Sequence, residues 1–238
     1  MEAALLAWFA LHGRDLPWRR TRDPYAILVS EVMLQQTQVD RVVPRYVDWL
    51  ARWPTVDALA TAKPADVIRA WQGLGYNRRG LNLLRAAQHV AREGWPGDLT
   101  ELPGVGPYTA AAVGNFALGA DVLPVDTNVR RVQERTGHMF SARAAQALMD
   151  LGATVCLGRI PRCGVCPLAA RCPSRGRRYE PLRKQSRFEG SFRQRRARTL
   201  RLVAAAERPL PELDAEAVAS LARDGLVHVD GGVVALPG

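Results

Sequence analysis

The four cysteines of the chain, Cys156, Cys163, Cys166 and Cys172, fall within 17 residues as C-x6-C-x2-C-x5-C, and there is no fifth. So tight a grouping describes one site. A disulfide framework belongs to small secreted proteins, whereas these 238 residues are 47% hydrophobic and begin MEAALLAWFALHGRD, with no cleavage-site pattern. Four thiolates suit tetrahedral metal ligation, by zinc or by a [4Fe-4S] cluster. Zinc sites favour two C-x2-C knuckles and this chain has one, so the spacing leans only mildly towards iron and sulfur.

Charge adds a second constraint. Thirty-three Lys+Arg against 23 Asp+Glu give a net +10, as expected for an anionic partner, nucleic acid above all. No apolar run reaches the ~20 residues of a membrane helix, so a cytoplasmic, nucleoid-associated protein with no membrane partner is expected. The excess is local. Residues 175–201 hold eleven Arg/Lys and two Glu, interleaved with Tyr179, Phe188 and Phe192, a pattern expected of a basic arm along a nucleic-acid backbone or of a solvated linker.

The text is mainly α. Apolar residues recur at helical spacing over 2–12, 25–34, 40–50, 65–72, 81–92, 107–118 and 142–155, separated by Pro, Gly and Asp. Only the end differs: a helical 214–223 precedes GLVHVDGGVVAL (225–236), which alternates about Asp230-Gly231-Gly232 and predicts a hairpin, together a small winged-helix-like extension.

Three segments carry candidate chemistry. In LPGVG, Pro103, Gly104 and Gly106 predict a tight turn at the start of the 107–118 helix, where Gly104, Val105 and Gly106 could present backbone N–H groups to a phosphate. About twenty residues on, in LPVDTNVRRV, Asp126 stands where a helix N-cap would. A third segment, SEVMLQQTQV, puts Glu31 directly after the apolar run Tyr25–Val29 and follows it with Gln35 and Gln36. A buried structural glutamate is the plain reading of the first, and backbone bridging that of Gln36.

LPGVG, the aspartate after it and the cysteine spacing together resemble the helix-hairpin-helix DNA glycosylases of the endonuclease III and MutY group, over roughly residues 1–175. The resemblance implies a [4Fe-4S] cluster on the four cysteines and a two-domain fold. Residues 1–20 and 127–178 would form the cluster domain, 21–126 a six-helix barrel with the hairpin, and 179–238 the basic arm and extension. It implies a monomer acting on double-stranded DNA with a damaged or mismatched base, the target nucleotide extruded because a stacked base cannot be reached. In the MutY branch the glutamines and the region after GLGY fill the gap, which makes Gln35, Gln36, Tyr76, Asn77 and Arg78 candidates, with Arg19 of DLPWR a further DNA contact.

The catalytic lysine of bifunctional endonuclease III falls here on Tyr108. Without that amine there is no Schiff base, so a monofunctional glycosylase with weak or absent strand cleavage is expected. SEVMLQQTQV resembles the MutY adenine glycosylases. Adenine departs poorly unless protonated, and Glu31 among apolar neighbours would be the acid, with Asp126 stabilising the oxocarbenium-like sugar and Tyr108 and Asn128 hydrogen-bonding around it. The expected reaction is removal of adenine opposite guanine or 8-oxoguanine. Two features depart from the MutY pattern: the chain after the cluster is too short for a full 8-oxoguanine-reading domain, and Asn77 stands where a second tyrosine is usual. Removal of thymine or uracil opposite guanine, or of oxidised pyrimidines, is therefore a second reading, and an inactive DNA-binding relative a third.

Overall fold

A computed structural model describes residues 1–180 and 187–238. Its helices are α1 (Glu2–His12), α2 (Pro24–Leu34), α3 (Val39–Arg52), α4 (Val56–Ala60), α5 (Pro64–Ala70), α6 (Arg78–Glu93), α7 (Pro107–Phe116), α8 (Thr127–Thr136), α9 (Ala145–Thr154), α10 (Phe192–Ala205) and α11 (Ala215–Arg223). Three short strands follow α10: β1 (Arg208–Pro209), β2 (His228–Asp230) and β3 (Val233–Ala235). The mainly helical expectation is met. None of the described helices is long and apolar enough to cross a membrane.

The chain packs as two compact units, Met1–Ile27 with Gly106–Lys184 and Leu28–Val105 with Gln185–Gly238. The first is built around Leu5 of α1, Val129 and Val132 of α8, and Leu148 and Leu151 of α9, all essentially without solvent contact. Spacings of three match one turn of helix, so each helix offers a single apolar stripe. Asp126 caps α8, accepting from the Asn128 and Val129 N–H groups, and Gly137 closes it with φ 64°, a conformation that favours glycine.

In the second unit α3 buries Val42, Tyr46 and Trp49, one helical face. Trp49 meets Trp53 and Trp71 edge-on, with ring centroids at 4.7 and 5.5 Å. Helix α6 packs on α4 and α5. It can approach because residue 80 is glycine: a Cβ there would lie 3.0 Å from the Trp71 ring.

The C-terminal segment holds the expected helix and hairpin and adds to them. The hairpin forms about Gly231 and Gly232, both at positive φ, but β3 lies in the middle of a three-stranded sheet ordered β1-β3-β2. Strand β1 is only two residues long, one of them Pro209, and so carries no readable alternation. Of the expected basic arm, 181–186 lie outside the described residues, while 192–201 begin a packed helix. Leu200 and Val203 of α10 share a core with Val218 and Leu221 of α11 and with Ile68 and Leu81 of α5 and α6. Part of the charge is matched internally. Arg195 lies 2.7 Å from both Asp214 and Glu216, and Arg196 lies 2.7 Å from Asp224. Phe192 lies beneath the Arg195 guanidinium.

Candidate active site and cysteine cluster

Asp126 owes its position to the start of α8. Its Oδ1 accepts from the N–H groups of Asn128 (2.9 Å) and Val129 (2.7 Å), and its Oδ2 from the Asn128 side-chain amide (2.7 Å). The carboxylate is half-buried and held through both oxygens. Asn128 in turn accepts from Arg131 Nη2 at 2.7 Å, and that arginine donates to the carbonyls of Gly152 (2.6 Å) and Cys156 (2.7 Å). A chain of hydrogen bonds thus runs from the candidate carboxylate to the first cysteine. Arg131 had no sequence signal beyond its place in the basic stretch after Asp126. Burial pulls its guanidinium down from the usual arginine value.

Among the described residues no three His, Cys, Asp or Glu side chains converge closely enough to hold a metal ion. The four thiols instead line one cavity whose walls include Val132, Leu151 and Val155. Sulfurs set around a volume suit a polynuclear group better than a lone zinc, which draws its ligands to ~2.3 Å. Polar groups attend them: Arg135 Nη1 lies 3.4 Å from Cys156 Sγ, and Gly176 N–H donates to Cys163 Sγ at 3.3 Å. Burial first, and then the neighbouring sulfurs of Cys156, Cys163 and Cys172, push the Cys166 thiol up, a cost that a cationic group among them offsets. Arg135 also donates to the Leu157 and Gly158 carbonyls, and its guanidinium lies 3.8 Å from the Tyr179 ring centroid. Tyr179, expected to interleave with the basic arm, is thereby engaged here.

Tyr108, in the first turn of α7, is half-buried and belongs to the same unit as Asp126. Glu31 belongs to the other unit, near the end of α2, and is 5% exposed between buried Ser30 and Val32.

The hairpin keeps one of its glycines for the protein's own reasons. Gly104 has φ +80°, and a Cβ on it would lie 2.8 Å from Asn82 Cβ; Val105 N–H closes the turn on the Leu102 carbonyl. Gly106 caps α7 in ordinary extended backbone, and a Cβ there would meet open space. The expectation that both glycines force the turn is therefore corrected. Gly106 is not required by packing.

Gln35 is half-buried, Gln36 exposed with φ 56°, and Tyr76 54% exposed with φ 45°. Asn77 precedes α6, and Arg78, at its start, lies 4.0 Å from Asp224. Arg19 is elsewhere: both its terminal nitrogens sit 2.8 Å from the Asp150 carboxylate, and it is mostly buried over Phe9. The fold engages this expected DNA contact in an ion pair, because it supplies Asp150, 131 residues away in sequence.

The family model described as HhH-GPD superfamily base excision DNA repair protein matches residues 29–152, just over half the chain. The chain belongs to the HhH-GPD superfamily. Among curated relatives, an adenine DNA glycosylase of Mycobacterium tuberculosis (strain ATCC 25618 / H37Rv) is 43% identical across 100% of this chain and 93% of its own length. The human adenine DNA glycosylase is 38% identical over 74% of this chain and 39% of its own. Among solved structures, a thermostable thymine-DNA glycosylase matches with a TM-score of 0.66 at 27% identity, over 73% of this chain and 94% of that one. A trapped endonuclease III–DNA covalent intermediate matches at 0.62 and 20% identity, over 73% and 92%, and bears on the fold alone. Membership of the HhH-GPD superfamily thus agrees with the resemblance carried by LPGVG and the cysteines.

Proposed function

We propose that this protein is a monofunctional base-excision DNA glycosylase that removes adenine from mismatches with guanine or 8-oxoguanine. The observation that carries the reading is Glu31, a carboxyl group buried in the apolar body of α2. A carboxyl shielded from water there suits the delivery of a proton to a purine that must be protonated before it leaves. The identity of 43% with an adenine DNA glycosylase along the full length of this chain supports the same base.

In the proposed reaction Glu31 delivers a proton to adenine, most simply at N7, and the C1′–N9 bond breaks with its electron pair passing to the base. Asp126 meets the positive charge that develops on the sugar. Its partners suit that role, since two backbone N–H groups and the Asn128 amide hold both carboxylate oxygens and fix its orientation. Water adds to C1′ and loses a proton, leaving adenine and an abasic sugar. Tyr108 hydrogen-bonds at this site and carries no amine, so the intermediate is not captured as a Schiff base and the strand stays intact.

The DNA partner is a duplex with a mismatched or damaged base, bound by one copy of the chain in the cytoplasm. Gly104, Val105 and Gly106 receive a backbone phosphate at the start of α7. The open space at Gly106 supports this role, since the protein's own packing does not ask for glycine there. Gln35, Gln36, Tyr76, Asn77 and Arg78 occupy the gap left by extrusion. Cys156, Cys163, Cys166 and Cys172 would hold a [4Fe-4S] cluster, which would supply a cationic core for the cysteine loop, and Arg131 joins that loop to the turn bearing Asp126 through the Cys156 carbonyl and Asn128.

The test is a substrate panel. Duplexes carrying A:8-oxoG, A:G, T:G, U:G and thymine glycol are incubated with the protein, and products are resolved with and without alkali. Adenine release with alkali-dependent breaks is expected. Cutting of pyrimidine substrates with both adenine duplexes intact would transfer the reading to a mismatch or pyrimidine glycosylase, and binding without turnover to an inactive relative.

A further inference from the structure

Arg79, in the first turn of α6, has no counterpart among the residues assigned so far. Its guanidinium joins two separate loops. Nη1 lies 2.7, 3.2 and 2.6 Å from the carbonyl oxygens of Val32, Met33 and Gln35, the exit of α2. Nη2 lies 3.1 Å from Thr37 Oγ1 and 3.2 and 3.1 Å from the carbonyls of Leu74 and Gly75. Thr37 also donates towards the Leu74 carbonyl at 3.2 Å, so the loops are tied a second time. The guanidinium lies near the rings of Trp71 and Tyr76, at 5.4 and 5.6 Å. Burial pulls its pKa down to about 10, which leaves it cationic at neutral pH.

Two residues give this clamp a purpose beyond ordinary helix capping. Among the described residues, the non-glycines with positive φ are Gln36 and Tyr76. Each directly follows a carbonyl that Arg79 holds, that of Gln35 or of Gly75. Left-handed backbone is unfavourable for side chains of this kind and persists only where the surroundings over-determine it. Both strained residues are exposed. Two strained, exposed side chains on loops locked by one half-buried cation form a preorganised pair.

We propose that Arg79 is a positioning residue that locks the Gln36 and Tyr76 turns into one rigid wedge, which fills the space vacated when a nucleotide leaves the DNA stack. The inference rests on the glycosylase reading. A wedge held rigid before contact loses less conformational freedom on entering DNA than two free loops, so the clamp acts on extrusion and not on the bond-breaking step.

The test uses the full-length protein and Arg79→Met, with Arg79→Lys and Thr37→Val as milder variants should the first not fold. Single-turnover excision is measured on an A:G duplex and on one with the adenine opposite an abasic-site analogue, where no intact pair need be opened. A 2-aminopurine beside the target reports unstacking on binding. Arg79→Met is expected to slow A:G excision by about tenfold or more, reduce the 2-aminopurine rise, and leave the abasic-opposed substrate within about threefold of wild type. Arg79→Lys, which keeps charge but loses the fork, is expected to recover only part of the rate. Equal slowing of both substrates, or no slowing of either, would overturn the clamp. If the wild type cuts T:G and not A:G, the adenine reading fails alone, and the same pair of duplexes built on thymine decides the role of Arg79. If the wild type cuts neither, the 2-aminopurine rise with and without Arg79 decides it.

Discussion

Gly152 faces Asn128 so closely that a Cβ on the glycine would lie 2.5 Å from the asparagine Cβ. Helices α8 and α9 meet there, and Asn128 is the residue whose amide holds Asp126. The backbone of Gly152 needs no special dihedral; the absence of a side chain is what the contact uses. Gly152→Ala must push the first turn of α8 away, at a cost of about 1–3 kcal/mol for overpacking. Excision is expected to fall further than duplex affinity, which single-turnover rates and a binding isotherm on the same variant would separate.

Arg131→Met cuts the links from Asn128 to the Gly152 and Cys156 carbonyls at once. Loss of buried hydrogen bonds from a charged group costs about 1.5–3 kcal/mol each before compensation. Slower adenine release and a lower iron content in the purified protein are expected together, read by turnover and by elemental analysis. Normal values of both would show that the chain of bonds carries no coupling.

Asp150 is fully buried and receives Arg14 and Arg19 at 2.7 and 2.8 Å. Burial by itself would raise its carboxyl, but the Arg19 side chain, the Arg14 N–H and both charges outweigh that and hold it below the ordinary carboxylate range. A depressed folded pKa gives stability that is complete above the unfolded value of ~3.9 and is lost as pH falls through the folded value. Denaturation midpoints should therefore hold from neutral pH down to the carboxylate range and then drop. Asp150→Asn is expected to cost about 3 kcal/mol or more at neutral pH, since it leaves two arginines unmatched, and to flatten that acid limb.

Glu31→Gln and Asp126→Asn are nearly isosteric. Removing general acid catalysis costs typically about 10²–10⁴-fold in rate, so single-turnover adenine release should fall by that order for Glu31→Gln while duplex binding persists. Wild-type turnover in both variants would sink the assignment of the two carboxylates.

Removal of 187–238 is expected to uncover Ile68 and Leu81, which pack against α10 and α11. A passive tail would leave the rest of the protein unchanged. Loss of cooperative unfolding in the truncated protein is expected instead, and Leu200→Ala in the intact chain should cost about 2–5 kcal/mol.

Most helices were legible because runs of apolar residues at helical spacing, and the Pro, Gly and Asp that bound them, are local: 2–12, 25–34 and 40–50 correspond to α1, α2 and α3. Helix α10 was not, since five arginines interrupt its apolar residues and read as solvated charge. Its partners Asp214, Glu216 and Asp224 lie 19 to 28 residues away. Asp126 was found through its place before α8, and the cysteines through spacing alone. Arg79, Arg131 and Asp150 were missed, and so was the ion pair that engages Arg19. An arginine bound for a carbonyl cluster and one bound for a phosphate look alike until the acceptors are known.

By itself, then, the sequence determined that the chain is helical, that four cysteines fall in one short segment, and that LPGVG and SEVMLQQTQV resemble the family's motifs, all features encoded within about twenty residues of chain. Only the tertiary structure decided what each buried arginine serves, that the C-terminal segment shares a core with α5 and α6, and that Gln36 and Tyr76 are held strained by one cation. Those outcomes depend on which carbonyls and carboxylates arrive from distant segments, and desolvation makes a buried charge accept only the partners that the fold brings to it.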